Sequence, residues 1–263
     1  MKAEPKEAGL YNPRLESILS LISRKRTVSV TELRERLGVS GVTVRKYLDI
    51  LEGEGIIVRT HGGAMMAEDR SSIRTISMRE ETRVEEKREI ARAAKALVSE
   101  GDVIFLDSGT SCRALARELS GMSLQVITTS LDVMEELAPS PSISLFCPGG
   151  SLRREARAFI GPTAVEALRD LRIGTCFLGA SGFSAEASFY TQNLVESQLK
   201  RQVLGVSRRR VVLADSAKLG LEAFSVFARP GSLDLLVTDS GFPLAEEFRA
   251  LGIEVITARS GQD

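Results

Sequence analysis

Histidine occurs once in this chain, at His61, which excludes a histidine-based catalytic triad unless the turn that carries it enters an active site. Cysteine is nearly as scarce. Cys112, Cys147 and Cys176 are odd in number, far apart and without C-x-x-C spacing, so neither a disulfide framework nor a zinc site is written into the chain. Small buried hydrophobes are expected instead, and neither a metal nor a cofactor is called for. There is no run of about 18 apolar residues and no basic start leading into an apolar segment, so a spanning helix and a secretory signal are both excluded and a cytoplasmic protein is expected. A charge surplus is missing too, with 35 Lys and Arg against 35 Asp and Glu. The distribution is slightly uneven: residues 1–60 carry 11 basic against 8 acidic side chains, and residues 71–263 carry 23 against 25. A basic N-terminal segment suits a nucleic-acid partner without establishing one.

What is present is an ordinary globular composition, 43% apolar and 27% charged over 263 residues, enough for a small domain and a sizeable one. Asn12-Pro13 reads as the cap and first residue of a helix whose apolar stripe is Leu15, Ile18, Leu19 and Ile22. Arg24-Lys25-Arg26 closes it, either as a match for the negative end of the helix dipole or as a contact to the DNA backbone. Ser29-Val30-Thr31-Glu32 has the S-x-x-E spacing of a capping box, and Gly38 suits the left-handed residue that ends the second helix. Two residues later Ser40 is a candidate cap for a third helix, buried along Val44, Leu48 and Leu51. Its opposite face carries Thr43, Arg45, Lys46 and Tyr47, groups able to donate to phosphate oxygens and base edges. Two brief amphipathic helices around so short a turn are the helix-turn-helix pattern. Glycines 53 and 55, β-prone Ile56-Ile57-Val58 and the turn at His61-Gly62-Gly63 then predict a hairpin wing. Arg59 and His61 on that wing are candidates for flanking phosphates, His61 being equally an ordinary turn residue.

The first domain is accordingly expected over residues 1–64, a linker over 65–84, and a second domain over 85–263. In that second domain, solidly apolar runs alternate with helical stretches: residues 103–107, 124–129, 143–147, 175–180, 211–215, 233–239 and 253–257. Strands apolar on both faces are buried on both faces, so a mostly parallel sheet covered by helices is predicted, an α/β fold. Ligands of such sheets sit beyond the carboxyl ends of the strands. Asp107-Ser108-Gly109-Thr110-Ser111 follows the first strand and opens a helix, where N–H groups and hydroxyls suit a phosphate; a capped βα turn is the alternative. Thr129, Gly149-Gly150 and Gly179-Ala180-Ser181-Gly182 end the next three strands. Lys218 follows the fifth, near Asp215, and is placed either to meet an anion or to face solvent. Glu196 lies on a helix with Leu194, Leu199 and Val203, as an acceptor for sugar hydroxyls or as a solvated residue. Cys112 stands at a helix start, which would lower a thiol's pKa, yet it has no basic partner in sequence.

Taken together these segments resemble the DeoR family of bacterial transcription regulators over nearly the whole length. The resemblance rests on Val39-Ser40, Thr43-Val44-Arg45-Lys46, Leu48-Asp49, Leu51-Glu52 and Arg59-Thr60-His61-Gly62-Gly63-Ala64. In the second half it rests on Glu86-Lys87, residues 107–111, Gly149-Gly150, Gly161, residues 177–182 and Asp215-Ser216-Ala217-Lys218. It implies a winged helix-turn-helix joined to a sugar-phosphate isomerase-like domain that binds a phosphorylated sugar, in an oligomer, dimer or tetramer, acting on double-stranded operator DNA. Four positions depart from the family pattern. Tyr47 stands where Asp is common, Ser111 for the second Thr of Gly-Thr-Thr, Thr129 for Asn and Ala187 for Gly.

Three functions fit these features. A repressor sensing a sugar phosphate is favoured. A sugar-phosphate isomerase needs a positioned general base, and the loop from Gly179 to Ser184 has no carboxylate before Glu186. A metabolite-binding domain whose helical module meets protein differs from the first in lacking steep salt dependence.

Overall fold

The computed structural model describes residues 15, 17, 18, 21, 22, 25, 27–53, 57–60, 62–66 and 83–258. The chain divides into two units, residues 1–73 and 74–263.

In the first unit Leu15, Ile18 and Ile22 are helical and buried, as the apolar stripe predicts, and Leu21, outside that stripe, is buried with them; Asn12, Pro13, Leu19, Arg24 and Arg26 lie outside the described residues. Strand β1 (Thr27–Ser29) leads into helix α1 (Val30–Leu37). Ser29 caps it by accepting the Glu32 N–H, and Gly38 ends it at φ 63° with its N–H on the Arg34 carbonyl. Only half of the capping box forms, because the Glu32 carboxylate pairs with Lys25 at 2.5 Å. Helix α2 (Gly41–Gly53) follows with Ser40 at its head. Val44, Leu48 and Leu51 are fully buried, each contributing about 1.5–3 kcal/mol, and this fixes which face the helix presents outward. Strands β2 (Ile57–Thr60) and β3 (Gly63–Met66) form the wing, with Thr60 opposite Gly63 across His61-Gly62.

The wing is larger than the sequence pattern indicated. Met65 and Met66, expected to open the linker, pair with Val58 and Ile57 in β3, and β3 also pairs with β1, giving a three-stranded sheet in the order β1-β3-β2. Gly63 makes this possible: a Cβ there would stand 2.0 Å from the Val28 carbonyl oxygen.

The described part of the second unit runs through α3 (Val84–Lys95), then β4 (Val103–Leu106), α4 (Thr110–Leu119), β5 (Leu124–Thr128), α5 (Leu131–Leu137) and β6 (Ile143–Phe146). A hairpin of β7 (Ser151–Arg153) and β8 (Ala158–Ile160) precedes α6 (Pro162–Leu168) and β9 (Ile173–Gly179). There follow β10 (Gly182–Phe183), β11 (Phe189–Thr191), α7 (Leu194–Val206), β12 (Ser207–Leu213), β13 (Ser225–Ala228), β14 (Leu235–Thr238), α8 (Ala245–Ala250) and β15 (Glu254–Thr257). All seven apolar runs became strands of one seven-stranded sheet, ordered β15-β14-β12-β9-β4-β5-β6 and parallel throughout. Alternate residues of β9 feed two separate cores, Cys176 and Leu178 on one face and Phe177 on the other, so both faces are covered. Among the described residues no helix is long and apolar enough to cross a membrane.

The short β7–β8 pair and the antiparallel sheet β10-β11-β13 had no counterpart in the pattern. Ala187 holds φ 56° in the turn between β10 and β11, the left-handed conformation that explains why glycine suits this position.

Strand order places the site. From β4 the chain winds outward through β5 to β6, then returns and winds the other way from β9. The carboxyl ends of β4 and β9, next to each other where the winding reverses, open the crevice in which such sheets hold ligands.

Candidate functional site

In the first unit the outward face of α2 is the candidate interface. Ser40 Oγ accepts the Thr43 N–H at 3.2 Å and lies 2.9 Å from Thr43 Oγ1, so both hydroxyls are engaged in the cap. Arg45 and Lys46 are exposed and Thr43 and Tyr47 half-buried, the arrangement read from sequence. With Thr31 and Arg34 of α1 and Gly62 of the wing, Arg45 borders an open groove, a contribution of α1 that sequence reasoning missed. Arg59 is tied inward: its guanidinium pairs with Asp49 of α2 and its N–H donates to Glu52 at 3.2 Å. That pairing holds the wing against the helix. His61 lies outside the described residues.

In the second unit a pocket opens at the junction of β4 and β9. Its floor is a buried ion pair that the sequence did not disclose. Lys200, from α7, donates to Asp107 Oδ2 and, at 2.8 Å, to the Gly179 carbonyl; the Gly179 N–H returns a bond to the same carboxylate oxygen at 2.9 Å. Asp107 therefore stands beneath the pocket, its charge already matched, and does not line it.

Above this floor lie Ser108, Gly109, Thr110 and Ser111 at the start of α4. Gly109 takes φ 129° and no side chain caps the helix, leaving its first N–H groups open to the crevice. Ser111 Oγ is buried and has no hydrogen-bond partner. Lys218 lines the same pocket, with Nζ 3.7 Å from Asp215. Asp215 in turn stands 3.6 Å from Arg83, which also reaches Asp239 at 3.6 Å. Burial raises the Asp239 carboxyl, but the Ser216 N–H and hydroxyl, the Gly241 N–H and the Arg83 charge outweigh it and leave the pKa lowered.

Glu196 forms the other wall. Asn193 caps α7, accepting the Val195 and Glu196 N–H groups at 2.9 and 3.1 Å. This sets the Glu196 carboxylate to accept from Arg153 Nη1 and Thr191 Oγ1, each at 2.8 Å. Arg153, Thr191 and Gln192 complete this side, and none was singled out beforehand. Their signal is weak because Arg153 and Thr191 come from the short strands β7 and β11 and Gln192 directly follows β11. Lys200, also not singled out beforehand, follows Glu196 by four residues, and that spacing was the available signal.

Not every expected residue reaches the pocket. Gly109, Thr110, Ser111, Glu196 and Lys218 are brought together; Asp107, Thr129, Gly149 and Gly150 are not among its lining. Thr129 is buried with an unpartnered hydroxyl. Gly150 instead serves the β7–β8 hairpin, since a Cβ there would meet the Ile160 carbonyl oxygen at 2.6 Å.

Cys112 lines the pocket as a buried thiol. Burial, then the Asp107 charge, raise its pKa, and its thiol donates to the Phe177 carbonyl at 3.5 Å. The carboxylates at the pocket, Asp107 and Glu196, are both committed to cations. Glu186 is exposed, its pKa lowered first by a Ser184 hydrogen bond. Of these three only Glu196 lines the pocket, and its carboxylate is engaged by Arg153 and Thr191.

A winged helix-turn-helix coupled to an α/β ligand pocket defines a sensor-type transcription regulator. Residues 14–70 match the DeoR-like helix-turn-helix domain and residues 82–240 match the DeoR C terminal sensor domain, so the chain belongs to the DeoR family. It is 36% identical to the lactose phosphotransferase system repressor of Streptococcus mutans over 86% of this chain and 91% of that protein. The HTH-type transcriptional repressor GlcR of Bacillus subtilis is 31% identical over 86% of this chain and 87% of its own. A putative aga operon transcriptional repressor of Escherichia coli O157:H7 is 30% identical over 92% of each.

Proposed function

We propose that the protein represses a sugar-metabolism operon and is controlled by a phosphorylated sugar bound at the β4–β9 crevice. The observation that carries this reading is Ser111: its buried, unpartnered hydroxyl sits at an uncapped helix start, the arrangement that receives a phosphate oxygen. Lys218 supplies positive charge on that side. Glu196, Thr191 and Gln192 supply acceptors and donors for sugar hydroxyls on the other. The relatives named for lactose and aga systems support a sugar-linked target. On the output side, Thr43, Arg45, Lys46 and Tyr47 face the major groove of double-stranded operator DNA, with Ser40 setting the helix and Arg59 the wing. A dimer or tetramer presents two such helices to half-sites about 34 Å apart or a multiple of that, and ligand alters their spacing. DNA as partner implies a cytoplasmic location.

Thermal melting with a panel of sugar phosphates tests the pocket, because a ligand bound only to the folded state raises stability. At least one sugar phosphate should raise the midpoint, its unphosphorylated counterpart should not, and Ser111→Ala should reduce the shift. Equal shifts with and without the phosphoryl group would contradict the reading.

A further inference from the structure

We propose that Gly41 and Val42 form an apolar tip on α2 that reads the C5 methyl of a thymine in the operator, beside the base contacted by Arg45. The inference rests on α2 being the groove-reading helix.

Val42 is 64% exposed, the most exposed large hydrophobic among the described residues. The burial of Val44, Leu48 and Leu51 fixes the rotation of the helix, so this exposure is not a matter of an ill-placed face. Val42 precedes Arg45 by three residues and Lys46 by four, which puts all three on one outward stripe. A β-branched apolar side chain there contributes nothing to the helix or to the core, and a polar residue would serve a solvated surface better.

Gly41 adds an independent observation. Its backbone is not left-handed, and a Cβ would find only Val30 Cγ1 at 3.9 Å, an ordinary contact. Among the described residues neither conformation nor packing requires glycine at the first position of α2. Glycine here permits close approach of the backbone to another molecule and leaves the valine methyls uncovered.

The groove chemistry then selects the ligand. N-terminal residues of a recognition helix meet base edges, and in the major groove only thymine offers an apolar group, its methyl. Apolar contact with that methyl lets Val42 discriminate where it has no hydrogen bond to offer, and Arg45 supplies the polar reading alongside.

The test uses the full chain and a pool of duplexes with a random core. After the preferred site is enriched, each dT in it is replaced singly by deoxyuridine, which removes the methyl alone. One replacement per half-site should weaken the wild-type protein about fourfold, the equivalent of about 0.8 kcal/mol for one buried carbon. Val42→Ala should lose that discrimination, and Val42→Thr, nearly the same shape but hydroxylated, should reduce it. Gly41→Ala should melt like the wild type and bind the site more weakly. Val42→Ala that still distinguishes dT from deoxyuridine at that position, or an enriched site indifferent to every replacement, would overturn the proposal. Unchanged affinity in Gly41→Ala would overturn the close approach. Failure of any sequence to enrich would instead remove the groove-reading role of α2, and this proposal with it.

Discussion

Lys200 and Asp107, 93 residues apart in sequence, form an ion pair beneath the ligand pocket, buried to 7% and 3% exposure. It ties α7 to the carboxyl end of β4, while the Gly179 peptide, bonded to both side chains, adds β9. One ion pair thus holds the three elements that shape the crevice. Lys200→Met should destabilise the protein by about 3–5 kcal/mol, since it leaves Asp107 charged, buried and unmatched. Adding Asp107→Asn should restore a good part of the loss, because the uncharged pair no longer needs compensation. Urea midpoints for the two single variants and the double variant measure the coupling.

Thr129 marks a site residue expected from the sequence that the fold places elsewhere. Its hydroxyl is buried without a partner and does not line the pocket. Thr129→Val should be neutral or stabilising by up to about 1 kcal/mol, because it removes an unsatisfied group while keeping the shape. Ligand affinity should not change. A tenfold loss on titration would place Thr129 in contact with the ligand.

The cysteines divide by burial. Cys112 and Cys176 are buried and Cys147 is partly exposed. Burial pushes Cys176 up to about 11 and raises Cys112 further. Alkylation of the folded protein followed by mass spectrometry should modify Cys147 first and leave the other two intact until unfolding. The sign for stability follows from linkage. Between the ordinary thiol value of 9.0 and about 11 the unfolded chain releases protons that folded Cys176 retains, so stability should fall as pH rises through that window.

On α2 the two exposed cations should separate by role. Arg45→Ala should weaken operator binding by about 1–3 kcal/mol if it makes a bidentate base contact, and should relax specificity at one position. Lys46→Ala should weaken all sequences alike and lower the salt slope by about one phosphate contact. Affinities at several salt concentrations, on operator and unrelated DNA, measure both.

Legibility in the sequence followed the physics of each element. The seven sheet strands were visible because burial on both faces writes an uninterrupted apolar run, as in residues 103–106 and 235–238. The caps at Ser29, Gly38 and Ser40 were visible because each demands a particular residue type. Strands β1, β7, β10 and β11 span only two or three residues and are fixed by tertiary pairing, so no period announces them. The pocket was half legible. Its helix start follows from strand–turn–helix chemistry, which named Gly109, Thr110 and Ser111, but the pairing of Asp107 with Lys200 and of Glu196 with Arg153 joins segments that only the folded chain brings together. For the same reason Asp107 read as a ligand contact when its partner is internal.

A sugar phosphate that acts through the β4–β9 crevice, as proposed, must change how α2 binds DNA. Affinity for the enriched operator, measured with and without each of a panel of sugar phosphates at fixed salt, tests it most directly. At least one should shift the affinity by about 5–150-fold, the usual range of coupling between two sites, and Ser111→Ala should diminish the shift. Operator affinity unchanged by every sugar phosphate that binds the protein would rule out control of DNA binding through the crevice.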